Sequence, residues 1–209
     1  MSETWLPAGI GAGIMVIDGL VPERLSEALY LFCLDAMDVI GNPGRTIGGL
    51  MENTKLTTDI RLSDMSAWRG EWHVDELRKI GYDMQDLDAQ MSSVVFQALR
   101  TYADTYPIIS QFNYKDTGYQ MQRYKKGEGF YAEHVDGDPA RCAERILALV
   151  IYLNDVDSGG GTYFRYQQAT VQPQRGRVVI FPSTWLYPHE ALVPVSDDKY
   201  MISTFIELQ

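Results

Sequence analysis

The chain has 209 residues, of which 45% are hydrophobic and 22% charged, a composition typical of an ordinary globular protein. This length predicts a single domain, 1–209, whose core needs neither disulfide bonds nor a structural zinc ion. The formal net charge of −10 disfavours a nucleic-acid partner, because binding to phosphates draws on Lys and Arg side chains.

The N-terminal stretch, residues 1–20, is apolar but has no basic segment before it and is interrupted by Gly and Asp. We therefore expect no signal peptide and no membrane span, and we predict a cytoplasmic location. Cys33 and Cys142 stand far apart without the spacing of a metal site, and we interpret them as two reduced, buried thiols.

The N-terminal half shows helical periodicity in two places. Apolar residues at helical spacing predict one helix over 23–37, with Pro22 at its first turn, and a second over about 86–106. Pro107 ends the second helix. Residues 41–63 are rich in Gly, Thr and Asn and predict loops with one or two short strands.

The C-terminal half has short β-type segments separated by turn residues. The predicted strands are 119–124, 146–153, 162–166, 177–181, 190–193 and 200–208. Several short strands at regular spacing favour a sandwich or jelly roll. We therefore predict a mainly β fold, with a jelly-roll core (a double-stranded β-helix) over 116–209 and a helical support region over 1–115.

Histidine is scarce, and two of the three histidines begin the same tripeptide, His73-Val-Asp75 and His134-Val-Asp136. The first leads into a predicted helix start, where Asp75 is an ordinary N-cap. The second ends an aromatic, strand-like stretch, and alternation along a strand places His134 and Asp136 on one face. We therefore choose His134 and Asp136 as metal ligands, with His189 as the third.

Two imidazoles and one carboxylate form the facial triad of non-haem iron(II) oxygenases. Three protein ligands leave three positions, two for a bidentate 2-oxo acid and one for O2. A zinc hydrolase also uses three protein ligands and is one alternative, although the chain has no HExxH pattern. A jelly-roll protein that binds a metal without turnover is another.

The C-terminal part of the chain resembles the 2-oxoglutarate/iron(II) oxygenase superfamily, in its prolyl-4-hydroxylase-like branch with uncharacterised bacterial and viral members. The matching stretches, in chain order, are Gln122-Arg123-Tyr124, the His134 tripeptide, 145–154, Gly159-Gly160, Thr162, Phe164, 171–176, Phe181-Pro182, Pro188-His189-Glu190, Pro194-Val195 and Lys199. Each stretch is weak alone, but their order and spacing make the resemblance specific. Residues 55–59 also resemble a segment of such members, and we assign this segment no role.

The resemblance implies Fe(II) on the triad, with 2-oxoglutarate and O2 as co-substrates and ascorbate as a stimulant. Lys199 matches the basic residue that binds the C5 carboxylate of 2-oxoglutarate by a charge-assisted hydrogen bond. Tyr124 and Thr162 match positions that donate hydroxyl groups to the same co-substrate, and Tyr152 is used similarly in some relatives. A core aromatic is the alternative for each tyrosine.

The resemblance also implies a hydroxylase acting on a C–H bond, with a prolyl residue of a peptide or protein as the first substrate. A free amino acid or other small molecule is the alternative. Aromatic candidates for the substrate opening are Tyr131, Trp185, Tyr187 and Phe205. The chain departs from the branch at Gly161, where Glu is usual, and at Phe205, where prolyl hydroxylases commonly have Trp.

Overall fold

The computed structural model describes residues 4–5, 9–11, 13–46, 48–61 and 84–209. Two β-sheets lie face to face, and two helices cover the outer face of the larger one. The predicted fold class, mainly β with N-terminal helices and a jelly-roll core, is confirmed.

The two long helices lie where apolar periodicity predicted them. Helix α1 spans Glu23–Ile40, three residues longer at its end than predicted, and helix α2 spans Met84–Thr105. Pro22 occupies the N-cap position, and its carbonyl accepts hydrogen bonds from two amides of the first turn. Pro107 begins a short 3-10 helix, Pro107–Gln111, directly after α2.

Fifteen strands are present among the described residues. They are β1 Thr4–Trp5, β2 Gly9–Gly11, β3 Ile14–Ile17, β4 Asn42–Pro43, β5 Lys55–Leu56, β6 Thr58–Arg61, β7 Tyr114–Asp116, β8 Gln120–Tyr124, β9 Phe130–His134, β10 Arg145–Tyr152, β11 Thr162–Phe164, β12 Ala169–Val171, β13 Val178–Pro182, β14 His189–Ala191 and β15 Lys199–Leu208. All six strands predicted for the C-terminal half exist, with shifted ends. The sequence did not predict β12, because three residues are too few to show a period.

The strands form a minor and a major sheet. The minor sheet has the order β1-β12-β11-β14-β9-β5, and the major sheet β2-β3-β13-β10-β15-β8-β6-β4, with β7 beside β15. Residues 42–61 give strand β5 to the minor sheet and strands β4 and β6 to the major one. The predicted helical support region therefore also contributes strands to both sheets.

Strand β10 shows how the core is divided. Its Leu147, Leu149 and Ile151 side chains pack under the helices, whereas Ala148 and Val150 face the space between the sheets. Because side chains alternate along a strand, this eight-residue strand contributes to two hydrophobic clusters, one under the helices and one between the sheets. The cluster between the sheets surrounds the site described below.

Two smaller expectations can be compared with the structure. Cys33 and Cys142 are both buried and unpaired, as predicted. Among the described residues, no helix is long and apolar enough to cross a membrane.

Candidate metal centre

The predicted triad comes together between the sheets. His134 at the end of β9 is the cross-strand partner of His189 at the start of β14, and Asp136 follows β9 by two residues. One Asp136 oxygen lies 3.5 Å from Nε2 of His134, and the other lies 3.5 Å from Nε2 of His189. All three ligand atoms lie within 4.8 Å of one another, a spacing that one metal ion can bridge. His73 and Asp75 lie outside the described residues.

Backbone carbonyls orient both imidazole rings. His134 Nδ1 lies 2.8 Å from the carbonyl oxygen of Ala132, and His189 Nδ1 lies 3.1 Å from that of Tyr187. A carbonyl accepts a hydrogen bond, so the proton belongs on Nδ1 and the Nε2 lone pair is left for a metal. In both cases the carbonyl belongs to the residue two positions before the histidine.

The protonation states of the triad suit a divalent cation. Burial lowers the pKa of His189 to about 4, so its ring is neutral at pH 7. For Asp136, burial alone would raise the pKa, but the two histidines and Arg145 outweigh it and lower the pKa below its usual value. A neutral imidazole and an ionised carboxylate are the forms that bind a metal.

Aromatic rings enclose the two histidines. The Tyr131 ring stacks on His134 with centroids 3.6 Å apart and an angle of 14°. Phe164 and Phe181 lie against His189, with centroid distances of 5.6 Å and 4.8 Å. These rings shield the ligand side chains from water and hold their orientation.

The loop after β9 holds Asp136 through a thiol. Cys142 donates from Sγ to the Asp136 carbonyl at 3.1 Å and accepts a hydrogen bond from the Asp138 amide, also at 3.1 Å. Arg145 Nη1 donates to the same Asp136 carbonyl at 3.4 Å. The sequence indicated only that Cys142 is a buried thiol, because the contact depends on the fold of this loop.

Substitution of this thiol should loosen the metal site. We expect Cys142→Ala to weaken Co(II) or Fe(II) binding by about tenfold, the lower end of the effects seen when groups that orient metal ligands are lost. Cys142→Ser keeps a hydrogen-bond donor and should retain most of the metal affinity. Cys33 is remote from this loop, so Cys33→Ala should leave the metal affinity unchanged. Metal titration checks this, and unchanged affinity in Cys142→Ala would show that the thiol does not position Asp136.

A cavity of about 580 Å³ opens beside the triad. Its inner end is lined by Tyr124, Thr162, Ala191 and Met201, and its outer end by residues of β4, β6 and β10. Lys199 lies next to the inner end, with Nζ 3.9 Å from the centre of the Tyr124 ring. Of the four predicted co-substrate residues, Tyr124 and Thr162 therefore line this end of the cavity, and Lys199 lies behind the Tyr124 ring without lining it.

Lys199 is a buried amine that forms no ion pair with any residue the structure describes. Its side chain is fully buried, and among the described residues its ammonium donates only to the Gly160 carbonyl, at 3.0 Å. Burial lowers its pKa from 10.5 to about 7. A buried amine with unused donors beside a metal cavity fits the far carboxylate of a dicarboxylic acid.

Tyr152 occupies a position behind the cavity wall. It is fully buried, and its hydroxyl lies 2.7 Å from that of Thr162, so the two share a hydrogen bond. Thr162 reaches the cavity, whereas Tyr152 does not line it. This placement indicates that Tyr152 orients the Thr162 hydroxyl and does not itself contact a co-substrate.

Residues 119–207 match the model of a protein family described as the 2OG-Fe(II) oxygenase superfamily. This segment is similar to members of that superfamily. The predicted resemblance is thereby confirmed over the stretch that holds the triad and Lys199. A search of curated protein sequences finds no significant match.

Solved structures of prolyl hydroxylases share the fold of this chain. The viral collagen prolyl hydroxylase of Paramecium bursaria Chlorella virus-1 is 17% identical in sequence, with a TM-score of 0.63. The superposition covers 94% of this chain and 96% of that one. A Trichoplax adhaerens prolyl hydroxylase in complex with a hypoxia inducible factor peptide fragment is 16% identical, with a TM-score of 0.69 and coverages of 93% and 83%. A Pseudomonas putida prolyl-4-hydroxylase is 18% identical, with a TM-score of 0.60 and coverages of 94% and 93%.

The predicted substrate residues separate into two pairs. Tyr131 and Phe205 line the cavity. Trp185 is 68% exposed, and Tyr187 is half-buried, and neither lines it. The Tyr187 amide donates a hydrogen bond to the Thr184 carbonyl and closes a turn that directs this segment away from the cavity. The Tyr187 carbonyl faces Nδ1 of His189 and orients its ring.

Several residues at the cavity were given no role from the sequence. The Arg145 guanidinium lies 3.9 Å from the centre of the Phe205 ring. Lys55 on the minor sheet and Asp59 on the major sheet form a buried ion pair of 2.7 Å that joins the two sheets at the cavity. Arg145 and the Lys55 segment lay within family-like stretches, but only strand pairing shows that they face the cavity.

Proposed function

We propose that the chain is an Fe(II)- and 2-oxoglutarate-dependent dioxygenase that hydroxylates a C–H bond. The observation that carries this proposal is the His134, Asp136 and His189 triad at a cavity whose wall residue Tyr124 lies against the buried Lys199, which forms no ion pair with a described residue. A protein that only binds a metal has no need for a buried ammonium there. A catalytic site that must hold a dicarboxylic acid does.

Each group has a separate task in this proposal. The triad would hold Fe(II) and leave three coordination positions for 2-oxoglutarate and O2. Once bound, this metal supplies the oxidising chemistry, and the protein supplies orientation and a water-poor site. Lys199 would bind the far carboxylate of the co-substrate, with Tyr124 and the Tyr152-oriented Thr162 hydroxyl as further donors.

As substrate we propose a prolyl residue within a peptide. Tyr131 and Phe205 offer apolar faces beside the triad, and a pyrrolidine ring must be held by shape because it has little to hydrogen-bond. The Trichoplax relative was solved with a peptide, and the Chlorella virus relative is a collagen prolyl hydroxylase. These neighbours support a peptide substrate for this chain.

Mass spectrometry tests the substrate. Proline-containing peptides incubated with protein, Fe(II), 2-oxoglutarate and ascorbate should gain one oxygen atom on proline, and succinate should form in equal amount. The Asp136→Ala variant serves as the inactive control. Turnover of free proline or another metabolite, with every such peptide untouched, would contradict the proposal of a peptide substrate and leave the oxygenase chemistry standing.

The affinity for 2-oxoglutarate should depend on pH through Lys199. Because burial lowers the pKa of this amine to about 7, the free protein loses the lysine charge as the pH rises above 7, whereas a bound carboxylate favours the charged form. Affinity should therefore be highest below pH 7 and fall by up to about tenfold per pH unit above it. Calorimetry with the Mn(II)-loaded protein measures this and should detect proton uptake. The arginine of Lys199→Arg stays charged over this pH range, so an equally steep pH dependence in that variant would show that deprotonation of Lys199 is not its cause.

A further inference from the structure

A buried ion pair crosses from one sheet to the other beside the metal site. Lys55 lies on β5, at one end of the minor sheet, and Asp59 lies on β6 of the major sheet. Lys55 Nζ and Asp59 Oδ2 are 2.7 Å apart, both side chains are buried, and both line the cavity. Burying two charges costs solvation free energy that their mutual attraction often does not exceed, so stability alone does not account for this pair.

The Asp59 carboxylate is held by further hydrogen bonds. Its Oδ2 also accepts one from Gln120 Nε2 on β8 at 2.5 Å, and its Oδ1 accepts one from the Thr57 hydroxyl at 2.7 Å. Thr57 stands between β5 and β6, where the chain changes sheets. Gly44 packs against this crossing, because its amide donates to the Thr57 carbonyl at 2.9 Å and a Cβ atom at Gly44 would overlap the Thr57 hydroxyl. The carboxylate is thus fixed from several sides, and it fixes the Lys55 ammonium in turn.

The ammonium of Lys55 lies against the ring of Tyr131. The two residues are cross-strand partners on β5 and β9, and Nζ is 5.3 Å from the centre of the ring. A cation at this distance from an aromatic ring is attracted to it, and more strongly where water is excluded. The Tyr131 hydroxyl forms no hydrogen bond with a described residue, so the orientation of the ring depends on contacts such as those with Lys55 and His134.

The Tyr131 ring in turn fixes the plane of a metal ligand. The hydrogen bond from His134 Nδ1 to the Ala132 carbonyl fixes one edge of the imidazole but leaves the ring free to tilt about this bond. Tyr131 stacks on the imidazole at a centroid distance of 3.6 Å and an angle of 14°, and this contact blocks the tilt. Because Nε2 must point at the metal, the direction of its lone pair depends on the plane that Tyr131 sets.

We infer that Lys55 and Asp59 are a positioning pair for the metal site, acting on His134 through the Tyr131 ring. This inference rests on the proposed function and adds to its metal site two residues that supply no ligand atom. Asp59 holds Lys55, Lys55 holds the Tyr131 ring, and the ring holds the plane of the His134 imidazole. Disruption of the pair should therefore change the geometry of the metal site, and not only the stability of the fold.

Co(II) binding tests this without turnover. The double variant Lys55→Met/Asp59→Asn removes both charges, so no unpaired charge stays buried and the fold should be retained, which thermal unfolding checks. We expect it to bind Co(II) about three- to tenfold more weakly than the unchanged protein, at or below the lower end of the effects of groups that directly orient metal ligands. Its visible Co(II) spectrum, which reports the geometry of the ligands, should differ as well. Lys55→Gln, which keeps a hydrogen-bond donor toward Asp59, is the milder substitution and should change both in the same direction.

A second set of variants tests the role of Tyr131. Tyr131→Ala should weaken Co(II) binding, and adding Lys55→Met/Asp59→Asn to it should weaken binding no further, since residues that act through one another are not additive. The matched control is Arg177→Met/Asp18→Asn, which removes another 2.7 Å ion pair whose residues do not line the cavity, and it should leave the Co(II) spectrum unchanged.

Three results would overturn the inference. They are unchanged Co(II) affinity and spectrum in the folded Lys55 variants, a full additional loss of affinity in the Tyr131→Ala background, and an equal spectral change in the Arg177→Met/Asp18→Asn control. In each of these cases the unchanged protein still binds the metal, so the proposed function stands. Failure of the unchanged protein to bind Co(II) or Fe(II) would contradict the proposed function itself.

Discussion

Replacing His134, Asp136 or His189 with alanine is expected to abolish 2-oxoglutarate turnover. Each residue supplies one of three ligand atoms that lie within 4.8 Å of one another, and two remaining ligands would not hold Fe(II) firmly. Backbone hydrogen bonds orient both imidazoles in advance, so each alanine substitution removes a ligand that is already in position. Succinate formation and metal titration measure the loss.

His73→Ala is the matched control for the triad variants, because His73 begins the other His-Val-Asp tripeptide. We expect this variant to bind Fe(II) as the unchanged protein does. Loss of the metal in His73→Ala together with its retention in His134→Ala would mean that the wrong tripeptide was assigned to the metal.

The second large effect is expected at Lys199. Lys199→Ala removes the buried ammonium that would bind the far carboxylate of 2-oxoglutarate, and the carboxylate would be left unpaired. The loss of such a charge-assisted bond costs about 1.5–3 kcal/mol, which corresponds to a roughly 10- to 150-fold higher 2-oxoglutarate requirement. Steady-state kinetics against 2-oxoglutarate measure it, and Fe(II) affinity should change little.

Two further variants separate charge from packing at this site. Lys199→Met keeps most of the buried volume without the charge, so it should show the same rise in 2-oxoglutarate requirement as Lys199→Ala. Lys125→Ala removes an exposed lysine from the turn after β8 and should have no effect. An unchanged 2-oxoglutarate affinity in both Lys199 variants would refute the assigned role.

The strands and helices were predictable where the local pattern is long enough. Helices α1 and α2 have apolar residues at helical spacing, and β10 is a continuous apolar run. Each pattern is visible in the sequence because it marks the residues that the element buries. The metal ligands were predictable for a related reason. His134 and Asp136 lie two residues apart in an extended segment, and the spacing to His189 matches the family order.

The positions that were not predictable depend on strand pairing across long sequence separations. Arg145 faces the cavity because β10 pairs with β15, which brings it over Phe205. Lys55 and Asp59 meet because two short strands enter different sheets. Trp185, expected near the substrate, lies within a turn whose direction the sequence does not encode.

The most direct test of the account is anaerobic addition of Fe(II) and 2-oxoglutarate. We expect a weak visible metal-to-ligand charge-transfer band, because three protein ligands would leave positions at the iron for a 2-oxo acid. The band should be lost in Asp136→Ala and require more 2-oxoglutarate in Lys199→Ala. Fe(II) binding to the unchanged protein with no such band at saturating 2-oxoglutarate would contradict the claim that the triad and Lys199 form one oxygenase site.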